Sequence, residues 1–145
     1  MPATLPHEYL DMEWFGVDKK GNIAVFCSAG TGFLPGFVCE DAERADKLID
    51  YFYAAEKITD CMLLFCRTES AQQAARNCSD KGLYYYDADD GTGNGSCVLR
   101  EYYTKQSSPK KPLNYRQLPE PIREILRQNF MEIEDFSLKD TLYPL

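Results

Sequence analysis

The side chains that could do chemistry in this 145-residue chain are six cysteines, one histidine and 23 carboxylates. A nucleophilic thiol or hydroxyl needs an activating base, and the single histidine, His7, lies in an N-terminal segment that we expect to be loose. The cysteines form no Cys-x-x-Cys pair, and their scatter favours reduced, mostly buried thiols over a disulfide framework or a metal site: Cys27, Cys39, Cys61, Cys66, Cys78 and Cys97. We therefore predict a protein that is not an enzyme and that holds no metal or cofactor.

Glycine-rich and acidic loops offer the remaining candidate sites. The stretch from Asp87 to Gly91 is similar to the start of an EF-hand calcium-binding loop, but Val98 occupies the position of the closing glutamate. The glycine clusters are Gly30-x-Gly32 and Gly91-x-Gly93-x-Gly95. Neither continues into a P-loop or a dinucleotide-binding helix, so turn formation explains both. One alternative to a binding protein stays open. It is a small enzyme or ligand-binding protein that uses the loop 28–32, with Ser28 at its start and Cys27 or an acid beside it.

The charge of the chain is negative and unevenly distributed. The net charge is −7 and the isoelectric point is about 4.7, which argues against nucleic acid as a ligand. Residues 40–60 carry a net charge of −4, whereas residues 105–127 carry +4. Both segments can be ordinary solvent-exposed surface. The functional interpretation is an acidic helix that attracts a basic protein partner.

The pattern of apolar residues predicts the elements that position these groups. Alternation predicts a hairpin from strands 13–18 and 22–27, around the turn Asp18-Lys19-Lys20-Gly21-Asn22. Apolar residues at helical spacing predict a helix near 40–56. The run 61–66 is wholly apolar and predicts a buried strand. Thr68 is a candidate N-cap for a second helix over 69–79, which Gly82 would end.

The second half of the chain predicts another hairpin, from strands 83–87 and 97–103. On such a strand Tyr84 and Tyr86 share one face and Tyr85 lies on the other. One face is expected to be core, and the tyrosines on the other are either ordinary cover of the sheet or part of an exposed protein interface. A basic connector would span 107–112, and a proline-led helix 119–129. The chain is thus predicted to be one α+β domain over 1–145. It would have an antiparallel sheet built from two hairpins, about three helices packed on it, a loose segment 1–12 and a docked tail 130–145.

Several short motifs together resemble those of a family of small, uncharacterised bacterial proteins, some of which look like immunity proteins of polymorphic toxin systems. The motifs cover most of residues 13–128: Trp14-Phe15-x-Val17-Asp18, Gly21-x-Ile23-Ala24-x-Phe26, Leu34-Pro35, Gly82-Leu83-Tyr84-x-Tyr86-Asp87 and Pro112-Leu113-x-x-x-x-Leu118-Pro119-x-x-Ile122-x-x-x-Leu126. The last of them is also similar to SUKH-type immunity domains. The resemblance implies a binding role and carries no catalytic residues with it.

The function predicted from the sequence is a non-enzymatic protein-binding domain, in its specific form an immunity-like inhibitor of a basic toxin domain. No apolar run is long enough to span a bilayer and the start lacks a secretory signal, so we expect a cytoplasmic protein that binds neither membrane nor nucleic acid. The predicted contact surface combines an acidic helix face, an acidic loop and one tyrosine anchor: Glu40, Glu43, Asp46, Asp50, Asp87, Asp89, Asp90 and Tyr85.

Overall fold

The computed structural model describes residues 12–28, 34–39, 42–64, 66, 68–88 and 102–143. Within these residues the elements follow one another in the order β1 (Glu13–Val17), β2 (Ile23–Cys27), α1 (Gly36–Cys39), α2 (Ala42–Ala54), β3 (Cys61–Leu63), α3 (Glu69–Ser79), β4 (Tyr84–Asp87), β5 (Tyr103–Pro109), α4 (Glu120–Leu126) and β6 (Thr141–Leu142). Short 3-10 turns precede and follow α4 and lead into β6. The longest helix has 13 residues, and none in the described part could cross a bilayer.

The strands form one mixed sheet in the order β1-β2-β4-β5-β3, with β6 also paired to β5. The predicted α+β class is confirmed. The sheet is not purely antiparallel, however, because β2 and β4 run parallel. The connection between them contains α2, β3 and α3, and it is long enough for the crossover that a parallel pair requires.

The first predicted hairpin is confirmed. β1 and β2 pair antiparallel with Val17 opposite Ile23 and Glu13 opposite Cys27. Gly21 has a φ of +90°, which permits its amide to donate to the Asp18 carbonyl at 3.1 Å and closes the turn. The chain therefore reverses where the sequence places its glycine.

The second hairpin is confirmed as an antiparallel pair. Its first strand lies where it was predicted, but its second strand lies later in the chain than expected. β5 begins at Tyr103 and continues to Pro109, so residues 107–109 are strand rather than connector. The expected strand residues 97–101 lie outside the described part. A register shift between Tyr85 and Tyr86 pairs them with Ser107 and Lys105. This bulge turns Lys105 toward one face of the sheet and Ser107 toward the other.

The three predicted helices are present as α2, α3 and α4. Thr68 caps α3 as expected, since its side-chain oxygen accepts from the Ala71 amide at 3.0 Å. Gly82, with a φ of +93°, follows the end of α3. The short α1 was not predicted.

The buried strand predicted over 61–66 is wrong in both length and environment. β3 has three residues and pairs only with β5, so it forms an edge of the sheet. As a result Met62 is 54% exposed, and Leu64 follows the strand with its side chain also exposed. An apolar run alone does not distinguish an edge strand from a central one.

Both faces of the sheet are covered. One face packs against α2, α3 and α4, and the other packs against the C-terminal residues, which contribute Met131, Phe136 and Leu142. Tyr84 and Tyr86 lie on the C-terminal face and Tyr85 on the helical face, which confirms the predicted alternation. All three tyrosines of β4 are therefore buried.

Candidate protein-binding face and adjoining cleft

The outer face of α2 carries the acidic residues that the sequence singled out. Glu43, Asp46 and Asp50 are exposed, and their spacing of three and four residues places them in one stripe along the helix. Lys47 lies 3.9 Å from Glu43. The stripe therefore presents three carboxylates and one ammonium group to solvent.

The other cation of α2 points away from this stripe. Arg44 donates to the Gln128 side chain at 2.5 Å and to the Phe37 carbonyl at 3.1 Å, which holds it against the C-terminal end of α4 and against α1. The guanidinium charge of Arg44 therefore lies near Phe37 and Gln128 and not on the stripe. The opposite flank of α2, which faces α3, keeps an acidic character.

Tyr53 ends the acidic stripe. It follows Asp50 by three residues and is 84% exposed. Lys81 donates to the carbonyls of Phe52 and Tyr53 at 2.8 and 2.9 Å, and its ammonium group lies 5.7 Å from the Tyr53 ring centre. The last turn of α2 is thereby fixed, because its unpaired carbonyls are satisfied by a cation from the end of α3. Tyr53 was not among the predicted site residues, although the spacing 43, 46, 50 and 53 places it on the same stripe.

A cleft of about 470 Å³ lies beside Tyr53, between α2 and α3. The sheet contributes apolar residues Phe15, Val25 and Leu83, and the helices contribute Ile49, Phe52 and Ala74. The rings of Phe15 and Phe52 stack with their centres 4.9 Å apart. This cleft is mostly apolar and lies over the helical face of the sheet.

Few polar groups line the cleft. The lining residues with polar side chains are Glu13, Tyr53, Asn77, Cys78 and Lys81. Burial raises the pKa of Cys78 to about 12, so this thiol stays protonated at neutral pH and is a poor nucleophile. Cys78 is therefore not an activated nucleophile.

The predicted site residues are not all brought together. Tyr85 is only 6% exposed and packs in the core between the sheet and the helices, so its role as an exposed anchor is wrong. Burial also raises its pKa. Asp87 is half-buried at the end of β4, where it is paired with Cys27 of β2. It does not belong to the α2 stripe. Glu40, Asp89 and Asp90 lie outside the described residues.

The loop proposed for the alternative function is described only at its first residue. Ser28 is buried, and its hydroxyl accepts from the Met12 amide at 2.9 Å. This contact ties the start of β1 to the end of β2, which is a structural role. Residues 29–32 lie outside the described part of the chain.

The thiols give a first testable expectation. Cys27, Cys61, Cys66 and Cys78 carry reduced, partly buried thiols, and burial raises the pKa of Cys61 to about 11. We expect slow reaction of the native protein with a thiol reagent at pH 7, and six rapidly reacting thiols after denaturation without reductant. Fewer than six would reveal a disulfide, and stoichiometric zinc by elemental analysis would contradict the expectation of metal-free cysteines.

Comparisons with known proteins add no relative. The chain matches no protein family model, no curated protein and no solved structure. Within the described residues, no three His, Cys, Asp or Glu side chains are grouped so that they could hold a metal ion. The α2 stripe and the cleft are therefore the features that bear on function.

Proposed function

We propose that this chain is a non-enzymatic protein-binding domain that contacts a basic protein partner through the outer face of α2. The observation that carries the proposal is the stripe of Glu43, Asp46 and Asp50 ending in the exposed ring of Tyr53. Carboxylates with one nearby counter-ion attract a basic surface, and an exposed aromatic ring supplies the contact area that retains it.

The two kinds of residue contribute differently to binding. Exposed ion pairs are each worth only about 0–1 kcal/mol, so the carboxylates act mainly by speeding the encounter. Tyr53 is held at its base by the hydrogen bonds from Lys81 to the last turn of α2. These bonds fix the backbone that carries the ring. Tyrosine has only two side-chain torsions to restrict on binding, and burying its ring slows dissociation.

In its specific form, the proposal is an immunity-like protein that inhibits a basic toxin domain. The short motifs in β1, β2, β4 and α4 that resemble those of immunity proteins support this form. The acidic stripe supports it as well, because an acidic inhibitor is complementary in charge to a basic domain. A toxin gene next to the coding sequence would support it further, and a metabolic operon would weaken it.

A pair of charge-neutralising substitutions tests the contact surface. We expect Asp46→Asn with Asp50→Asn to slow association with the basic partner about five- to tenfold at low ionic strength, because steering by those carboxylates is lost. The difference should shrink at high salt, since screening removes the same attraction from the wild type. The partner is captured from the source cells and its association rate measured at two salt concentrations.

The matched control removes two charges elsewhere. Glu132 and Glu134 are exposed and pair with Lys19, among C-terminal residues that pack on the face of the sheet away from α2. Glu132→Gln with Glu134→Gln should leave the association rate within about twofold. Tyr53→Ala should instead speed dissociation. Equal slowing by the control pair would show that net charge, not the α2 face, drives association.

A further inference from the structure

We propose that the cleft between α2 and α3 receives one apolar side chain of the basic partner, such as phenylalanine or leucine, flanked in that partner by lysine or arginine. This inference rests on the proposed function and adds the feature of the partner that would determine specificity. The occupant is thus a basic segment with a single apolar residue at its centre.

The lining of the cleft accounts for the apolar residue. Six apolar side chains from β1, β2, α2, α3 and the residue just before β4 line a space of about 470 Å³, which falls in the range of about 300–1,000 Å³ typical of ligand-binding pockets. Phe15 and Phe52 present a stacked pair of rings to it. An aromatic or aliphatic side chain placed there leaves water and contacts these rings.

The charges around the cleft account for the basic flanks. Asp46 precedes the lining residue Ile49 by three positions, and Asp50 precedes Tyr53 by three, so both carboxylates lie next to the α2 wall. The α3 wall contributes Ala74 and Asn77, which carry no charge. The ammonium group of Lys81 is engaged by two carbonyls at the end of α2. In a partner segment that runs along α2, the cations before and after the inserted apolar residue would therefore meet Asp46 and Asp50.

Two peptides test this proposal directly. One is an acetylated, amidated twelve-residue peptide of lysine, arginine and alanine with phenylalanine at its centre, and the other has alanine in place of the phenylalanine. We expect the phenylalanine peptide to bind the wild-type protein at least about tenfold more tightly at low salt, since only it fills the cleft. Binding is measured by calorimetry and by NMR shifts of the Ile49 and Ala74 methyl groups. Equal affinity of the two peptides would overturn the inference.

Substitutions at Ala74 separate filling of the cleft from any other change. Ala74→Leu places a larger side chain inside the cleft and should remove the tenfold advantage of the phenylalanine peptide. Ala74→Ser leaves the space open and should retain it. Thermal melting confirms that both variants are folded. An advantage that persists in folded Ala74→Leu would show that phenylalanine binds elsewhere.

The outcomes also distinguish this inference from the proposed function. Asp46→Asn with Asp50→Asn should weaken both peptides by the same factor, because both carry the same cations. If this variant weakens both while Ala74→Leu changes nothing, the cleft inference fails and the acidic face stands. If neither variant affects binding, or neither peptide binds at low salt, both proposals fail.

Discussion

Replacing Asp18 with alanine is expected to lower the free energy of unfolding by about 3–5 kcal/mol. The carboxylate of Asp18 is fully buried at the end of β1. Its two oxygens accept four hydrogen bonds, from the amides of Lys20, Asn22 and Phe136 and from the Asn22 side chain, at 2.8–3.0 Å. Alanine would leave the buried amide of Phe136 without its acceptor and would also release the turn of the first hairpin.

The Asp18 contacts join two parts of the chain that are 118 residues apart, so their loss should be cooperative. Urea denaturation followed by the fluorescence of Trp14, the single tryptophan, measures the change, because this ring is buried and stacked on Phe26 at 4.0 Å. Asp60→Ala is the control: its carboxylate is exposed and paired with Lys57, and it should cost at most about 1 kcal/mol. A loss at Asp18 no larger than at Asp60 would contradict the role assigned to the buried carboxylate.

Local patterns predicted the elements of this fold well, and the reason is visible in particular residues. Thr68 and Gly82 bound α3 because capping and positive φ depend on the residue itself and on its near neighbours. The turn at Gly21 follows the same logic. The parallel pairing of β2 with β4 depends instead on how far apart the strands are in the chain and on where the crossover packs, and no local pattern contains that information.

Burial of individual polar residues was the second part that the sequence did not show. Lys105 counted as one of the cations of a basic segment, but it is buried beneath the C-terminal residues. There it donates to the carbonyls of Phe136 and Ser137 at 2.8 and 3.2 Å. Desolvation lowers its pKa, although Asp140 at 3.5 Å opposes that shift. The bulge in β5 sets its direction, and a bulge changes the alternation on which sequence patterns rely.

The candidate site was predictable in part. The carboxylates of α2 follow from helical spacing, and Tyr53 lies on the same stripe. The cleft does not follow from any one segment, because its lining comes from two helices, two strands and Leu83 just before β4. Tyr85 was predicted to be exposed and is buried. Alternation correctly placed it on the face opposite Tyr84 and Tyr86, but only the packing of α2 and α3 determines that this face is covered.

Raising the pH above about 10 is expected to unfold the protein cooperatively, and this is the second large effect. Burial raises the pKa of Tyr84 to about 12 and raises the pKa values of Tyr85, Tyr86 and Tyr103 as well. The folded state thus keeps protons that the unfolded chain releases near pH 10. The stability from these tyrosines is fully present below pH 10 and is lost as the pH rises toward the folded values. Tyr86 loses most directly, since its hydroxyl donates to the carbonyls of Phe136 and Lys139 and a phenolate cannot donate.

One buried group acts in the opposite direction without reversing the outcome. Because the pKa of Lys105 is lowered, the folded state binds fewer protons there than the unfolded chain, so this residue adds stability as the pH rises toward 10.5. A single lysine opposes four tyrosines, and stability should fall. Absorbance of tyrosinate at 295 nm and far-UV circular dichroism should change together. Tyr85→Phe should move the midpoint to higher pH, and Tyr53→Phe, at an exposed ring, should not. Ionisation of all ten tyrosines near pH 10 with native circular dichroism would show that the aromatic core is open to water.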